Sequence, residues 1–296
     1  MNIKKQSKYS IYENDLKFKN YRDLNPKKID WNTGDLQKKY YNENYDSLEY
    51  RYSECKEKNN LLYLDLSHLD LKQIPKVPHD ICDSIKYLFM NNNNLDQITG
   101  IEQFKKLQVL DISNNGVTEI SKLPPSLKEL SCRFNKISCL PFISELKILD
   151  CTSNKIRNLE LYPNLEILIC QDNEIQEIPK YNYLRKLVCC DNIVQKIRSY
   201  KFLEYLDCAN NCIMTIGELP KIKDLICRNN ELNSIPSNLP ELKYLDIHGN
   251  ILEILEFYPK LKELYCDTTG VKKISSGYKI SQSNVYNKDK CYILFK

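Results

Sequence analysis

Leu146-x-x-Leu149-x-Cys151-x-x-Asn154 is followed by Leu165-x-x-Leu168-x-Cys170-x-x-Asn173, and then by Leu184-x-x-Leu187-x-Cys189-x-x-Asn192. Each line is an apolar residue, two variable residues, Leu, one variable residue, an apolar residue, two variable residues and Asn. The interval between lines is nineteen residues. A fixed period of this length marks a stack of one repeated structural unit.

Working outward in both directions, the unit starts fall at Leu61, Ile85, Leu107, Leu127, Leu146, Leu165, Leu184, Leu203, Ile222, Leu242 and Leu261, eleven in phase. Position four is Leu in all eleven. Position six is Leu66, Met90, Ile112, Cys132, Cys151, Cys170, Cys189, Cys208, Cys227, Ile247 and Cys266. Two residues two apart on a strand point to the same side, so positions four and six share one face. Positions eleven and fourteen are also always aliphatic. No unit can bury these side chains alone, and stacked coils would share one continuous core with one short parallel strand each.

The line resembles the leucine-rich repeat family, L-x-x-L-x-L-x-x-N-x-L, over roughly Leu61 to Ile274. The resemblance implies a curved α/β-type horseshoe solenoid. Its parallel β-sheet would line the concave face, with extended or 3₁₀ segments on the convex face and little α-helix outside the N-terminal region. The domain reading is an N-terminal tail and helical cap over 1–60, eleven repeats over 61–274 and a C-terminal cap over 275–296. Ser47–Lys58 can form a helix with Leu48, Tyr52 and Cys55 on one face. Cys291-Tyr-Ile-Leu-Phe295 is apolar enough to close the last coil.

Proline supports short outer segments. It stands two before a unit start at Pro125, Pro163, Pro220, Pro240 and Pro259, and just after position fourteen at Pro75, Pro141, Pro179 and Pro236. Proline opposes helix interiors, so extended or 3₁₀ backbone is expected from about residue 120. Only the longer first two units have room for a helical turn, around Val77–Ser84 and Thr99–Lys106.

Position nine is Asn93, Asn115, Asn135, Asn154, Asn173, Asn192, Asn211, Asn230 and Asn250, with Leu69 and Thr269 in the end units. An amide side chain both donates and accepts, so it can tie backbone groups of its own coil to those of a neighbour.

The 43 basic and 39 acidic residues give a net charge of +4, which does not point to nucleic acid. Ala209 is the only alanine, and Lys, Asn, Ile and Tyr are abundant. This bias suits an AT-rich genome, and the combination resembles leucine-rich repeat proteins of large DNA viruses, with low-GC protists an equal source. Met1–Ser10 is polar, and no apolar run approaches the ~20 residues of a membrane span, so an intracellular protein is expected. Thirteen cysteines, seven of them at position six, read as core filler in a reducing compartment. With no C-x-x-C pair, no metal or other cofactor is expected. Cys190 and Cys212, at variable positions, are the thiols expected to reach solvent.

In the family the variable strand positions form the concave binding face, which the resemblance places at positions three, five, seven and eight. Eleven acidic residues stand there against Arg133, Lys186 and Arg228. Position two carries seven basic residues against Glu166 and Glu204. An acidic trough beside a basic rim is therefore expected, and it would favour a basic protein partner. The candidate partner surface comprises Tyr63, Asp65, Tyr87, Phe89, Asp111, Phe134 and Asp150 in the first five units. It continues through Tyr205, Asp207, Tyr244, Asp246, Tyr265 and Asp267.

No catalytic residue is assigned. His68 and His248 lie nine coils apart, about 40 Å at one strand spacing per coil. There is no phosphate-binding glycine loop, H-E-x-x-H or nucleophile elbow. Leu123-Pro-Pro-Ser-Leu127-Lys-Glu-Leu130 resembles repeats of bacterial leucine-rich effectors, some of them ubiquitin ligases, but only about 22 residues follow the array. The leading reading is a non-catalytic scaffold or adaptor that binds a protein on its concave face. The alternatives are a substrate-recognition subunit of a ubiquitin-ligase or phosphatase assembly, and nucleic-acid binding through the basic rim with Lys4, Lys5 and Lys8. The last is checked by filter binding: at about 50 mM salt neither DNA nor RNA should be retained, and retention would reverse the expected sign of the face.

Overall fold

The expected strands form where positions three to five of each unit fall. The computed structural model describes residues 63–267 throughout. Beyond them it describes Leu48, Arg51 and Tyr52, and the strand residues 273–274, 280–285 and 290–295. In chain order the strands are β1 (Tyr63–Asp65), β2 (Tyr87–Phe89), β3 (Val109–Asp111), β4 (Glu129–Ser131), β5 (Ile148–Asp150) and β6 (Ile167–Ile169). They continue with β7 (Lys186–Val188), β8 (Lys196–Ile197), β9 (Tyr205–Asp207), β10 (Thr215–Ile216), β11 (Asp224–Ile226) and β12 (Tyr244–Asp246). The last are β13 (Ile254–Leu255), β14 (Glu263–Asp267), β15 (Lys273–Ile274), β16 (Ile280–Val285) and β17 (Lys290–Phe295).

The main sheet runs β1-β2-β3-β4-β5-β6-β7-β9-β11-β12-β14-β17-β16. Its first eleven strands are parallel and in repeat register, from Leu64 opposite Leu88 to Leu245 opposite Leu264. β17 then pairs antiparallel with β14, and β16 with β17. Ile293 of β17 is buried in the core. The short pairs β8–β10 and β13–β15 lie outside this sheet.

The outer segments follow the proline argument. An α-turn, α1 (His79–Cys82), and a 3₁₀ turn, Ile101–Gln103, sit in the two long units. Beyond residue 120 no helix occurs among the described residues. At the other end, Leu48, Arg51 and Tyr52 are helical, and Leu48 and Tyr52 pack against the core. Cys55, expected on the same face, lies outside the described residues.

One core cluster runs from Leu64 to Ile293 and contains every position-four Leu and every position-six side chain. Each buried Leu contributes about 1.5–3 kcal/mol. Burial pushes the thiols of Cys132, Cys170, Cys208 and Cys227 well above their ordinary range, which keeps them protonated and inert. A second buried column was not anticipated. Tyr162, Tyr181, Tyr200 and Tyr258 are all fully enclosed on the outer side of the core. Their hydroxyls donate to the carbonyls of Pro141, Glu160, Pro179 and Pro236 at 3.4, 2.8, 2.9 and 3.1 Å. Each ring therefore satisfies its own polar tip on the outer segment of the preceding or a nearby coil, three of the four on a proline carbonyl.

The position-nine asparagines tie the coils together. Asn173 accepts from the Ile156 N–H at 3.0 Å and donates to the carbonyls of Cys151 at 3.0 Å, Cys170 at 3.2 Å and Gln171 at 3.1 Å. Two of those four partners belong to the preceding coil. The same pattern recurs from Asn93 to Asn250. Asn173→Ala should lower stability in urea by at least about 2 kcal/mol, since each buried group left unpaired costs about 1–3 kcal/mol. A loss under about 0.5 kcal/mol, the range of an ordinary surface substitution, would show that water replaces the amide.

Candidate functional site

Alternation along each strand turns positions three, five and seven away from the core, onto a face that no second layer of described residues covers. Position five sets the local chemistry of this inner face. Where it is Asp, its carboxylate accepts from the position-seven N–H of the same coil. This occurs at Asp65–Ser67 (2.9 Å), Asp111–Ser113 (3.0 Å), Asp150–Thr152 (3.2 Å), Asp207–Ala209 (3.2 Å) and Asp246–His248 (3.4 Å). The position-seven N–H follows the strand, and an Asp two residues earlier is the nearest side chain able to cap it.

This role corrects the expected acidic trough. Asp111, Asp150, Asp207 and Asp246 are buried, as is Phe89, so five of the candidate surface residues offer almost no open area. Three of the carboxylates also face a cation: Asp65 with Arg51 at 3.6 Å, Asp150 with Arg133 at 3.7 Å and Asp246 with Arg228 at 3.5 Å. Three of the seven basic rim residues are paired within the rim, Lys147 with Glu166 at 3.0 Å and Arg185 and Lys223 with Glu204, both at 2.5 Å. Hydrogen bonds from Lys223 and Arg185 hold the Glu204 carboxyl below its usual range. The side chain of Asp267 lies outside the described residues. Among the described acidic groups of this face, Asp172 and Asp191 at position eight are exposed, and Asp65, Asp224 and Glu263 are half-buried.

The aromatic candidates fall into pairs. Tyr63 and Phe89 lie 5.0 Å apart, and Tyr244 and Tyr265 5.5 Å apart, ring centre to ring centre. Tyr205 carries the Lys186 ammonium 5.4 Å above its ring. Tyr63, Tyr87, Tyr205, Tyr244 and Tyr265 are half-buried.

Phe134 stands apart for a reason the sequence did not disclose. Position eight turns left-handed in every coil from His68 to Gly249, with φ between 52° and 66°. Asn, Asp, Gly and Ser dominate the column because they tolerate that region. Amide side chains link its neighbours, Asn114 to Asn92 at 3.0 Å and Asn229 to Asn210 at 2.7 Å. Phe134 holds φ 52° with a bulky ring that is half exposed, and it interrupts the amide ladder.

Sequence reasoning also missed an apolar island at the middle of the inner face. Val188, Cys190 and Ala209 are buried against one another, with Ile169, Tyr205 and Ile226 packed around them. They form a cluster separate from the main core. Its signal was visible in the repeat: position five changes from Asp to Ile169, Val188 and Ile226. The expected exposure of Cys190 is therefore wrong, since only 3% of it is open. Cys212 is exposed as expected, and so is Cys139.

His248 Nδ1 lies 2.6 Å from Asp246 Oδ1, on the carboxylate that Arg228 also faces, while His68 meets Asn92 at the far end of the sheet. Among the described residues no three His, Cys, Asp or Glu side chains gather as a metal site, and no helix is long and apolar enough to cross a membrane.

Comparison with known proteins agrees with this architecture. Residues 83–125 match the family model for Leucine Rich repeats (2 copies). No curated protein sequence matches the chain. The chain is similar to YopM from Yersinia enterocolitica, with 25% identity, 70% of this chain and 53% of that chain covered, and a TM-score of 0.52. It is similar to a chain of the LRIM1/APL1C complex, with 25% identity, 68% and 42% covered, and a TM-score of 0.58. YopM from Yersinia pestis, a leucine-rich effector protein, shares the fold at 22% identity, with 77% and 69% covered and a TM-score of 0.57. The chain spans about half the length of the first two. The fold is that of a leucine-rich repeat solenoid.

Two inner-face carboxyls make a pH prediction. Burial raises Asp150 to about 6, against the opposing pull of Arg133 and the Thr152 hydrogen bonds. Burial also raises Asp207 to about 6, opposed by the Ala209 N–H and by Arg228. A raised carboxyl keeps its proton in the folded chain after the unfolded chain has lost it near pH 4, so stability falls as pH rises from about 4 to about 6 and is level above. Across that window Asp150→Asn/Asp207→Asn should gain on the wild type by on the order of 2–5 kcal/mol in urea unfolding. A gap that does not change with pH would show that both carboxyls ionise normally.

Proposed function

We propose that this chain is a non-catalytic interaction scaffold that takes a partner protein on the inner face of its sheet. The observation that carries the proposal is the asymmetry of the sheet. One face is sealed by a single continuous core, while the other carries half-buried tyrosines and a small apolar cluster whose partly open members are Ile169, Tyr205 and Ile226. Apolar and aromatic groups on an uncovered sheet face are what a protein interface uses. A similar chain forms part of the LRIM1/APL1C complex, which supports a protein as the partner. Asp172 and Asp191, exposed and in no ion pair among the described residues, favour a partner that is basic where it meets them. Among the described residues eleven cysteines are free, which supports a reducing, intracellular setting. The composition supports an AT-rich source genome, such as that of a large DNA virus or a low-GC protist.

Photo-crosslinking in the native cell tests the face. A benzophenone amino acid at Tyr205, on the inner face, should give a defined adduct to a protein. The same group at Tyr183, 55% exposed and outside the strands, should give none. Adducts from Tyr183 alone would place binding on the outer surface and end this reading.

A further inference from the structure

Coils six and seven are adjacent and both lack the position-five Asp cap that five of the eleven coils carry. Ile169 and Val188 replace the position-five Asp, so the N–H groups of Gln171 and Cys190 lose the carboxylate that caps Ser113, Thr152 and Ala209. Neither N–H finds another acceptor among the described residues. β6 and β7 are adjacent and in register, Ile169 opposite Val188, so these two donors lie in neighbouring coils beside the apolar island. At the C-terminal edge of the same two coils stand Asp172 and Asp191, held outward by their left-handed backbone. Asp191 accepts a hydrogen bond from Asn210 at 2.8 Å.

We infer that this island is an anchor site for one chain segment of a partner protein, built around a large apolar side chain with Lys or Arg beside it. The apolar side chain would pack on the half-buried Ile169, Tyr205 and Ile226, which themselves rest on the buried Val188, Cys190 and Ala209. Backbone carbonyls of the segment would accept from Gln171 and Cys190, in the place that Asp occupies in other coils. The flanking cation would meet Asp172 and Asp191. An acidic segment is disfavoured by those two carboxylates, and a polar one leaves the island wet. This inference rests on the inner-face reading above and adds its location and the chemistry of its occupant.

The repeat itself supplies the test variants. Ile169→Asn/Val188→Asn restores an oxygen acceptor to each open N–H and removes the apolar floor. Asp172→Asn/Asp191→Asn installs the residue that position eight already carries at Asn92, Asn114, Asn210 and Asn229. Thermal melts should confirm that both pairs stay folded. The full chain is panned against a random twelve-residue peptide library displayed on phage, and the enriched peptides are synthesised for titration. Enriched peptides should share an apolar residue with Lys or Arg within three positions. Their Kd should rise at least about tenfold on Ile169→Asn/Val188→Asn. On Asp172→Asn/Asp191→Asn it should rise about two- to fivefold, an effect that about 0.5 M salt removes. No enrichment, an acidic or uncharged consensus, or binding indifferent to residues 169 and 188 overturns the inference. Peptides lost instead on Tyr63→Ala or Tyr244→Ala would sink this site and leave the inner-face reading standing, while peptides lost only on Tyr183→Ala would sink both. Self-association of the chain, abolished by Ile169→Asn/Val188→Asn, would give the face to a second copy and also overturn the inference.

Discussion

The position-nine amide is the constraint on which the solenoid depends. At the end of each strand the chain must turn back within a coil of about nineteen residues, and the turn leaves backbone groups pointing into the core. One Asn side chain satisfies several of them at once, joining its own coil to the one before. An unmet buried carbonyl or N–H would cost more than a neutral hydrogen bond returns, so the column is nearly invariant. Leu69 stands in the first coil, which has no preceding coil in the array to join. With the turn fixed, positions four, six, eleven and fourteen face inward at every step, and the core follows.

The same regularity organises the open face. A parallel ladder places identical repeat positions one strand spacing apart, so each column is read as a whole. A column of Asp caps N–H groups, a column of left-handed Asn forms an amide ladder, and an interruption of either exposes something else. Ile169 and Val188 interrupt the first and replace its carboxylates with a small apolar cluster. Phe134 interrupts the second and holds an exposed ring in a backbone region that costs free energy. The interruptions, not the consensus, distinguish this chain from any other stack of the same coil.

Much of the fold was legible because its determinants are local and periodic. The eleven strand positions, the helical turns confined to the long units, the inward cysteines and the bridging asparagines all follow from side-chain type at a fixed spacing. The column of Tyr162, Tyr181 and Tyr200 carried the same nineteen-residue signal and was missed because the consensus line stops short of it. The charge map failed for a different reason. Counting Asp by position treats each carboxylate as solvated, whereas Asp150 is buried, bonded within its own coil and faced by Arg133 from the coil before.

By itself, then, the sequence determined a stacked parallel solenoid, its register, its core and the place of its amide ties, because a period of nineteen with one dominant pattern admits one way to bury the repeated apolar side chains. Only the tertiary structure decided which inner-face groups are available. Accessibility and ion pairing are set by what the neighbouring coil brings within reach, and that neighbour is about nineteen residues away in the chain. The long line of Leu, Cys and Asn specifies the stack, and a few exceptions at positions five and eight, read across coils, specify its surface.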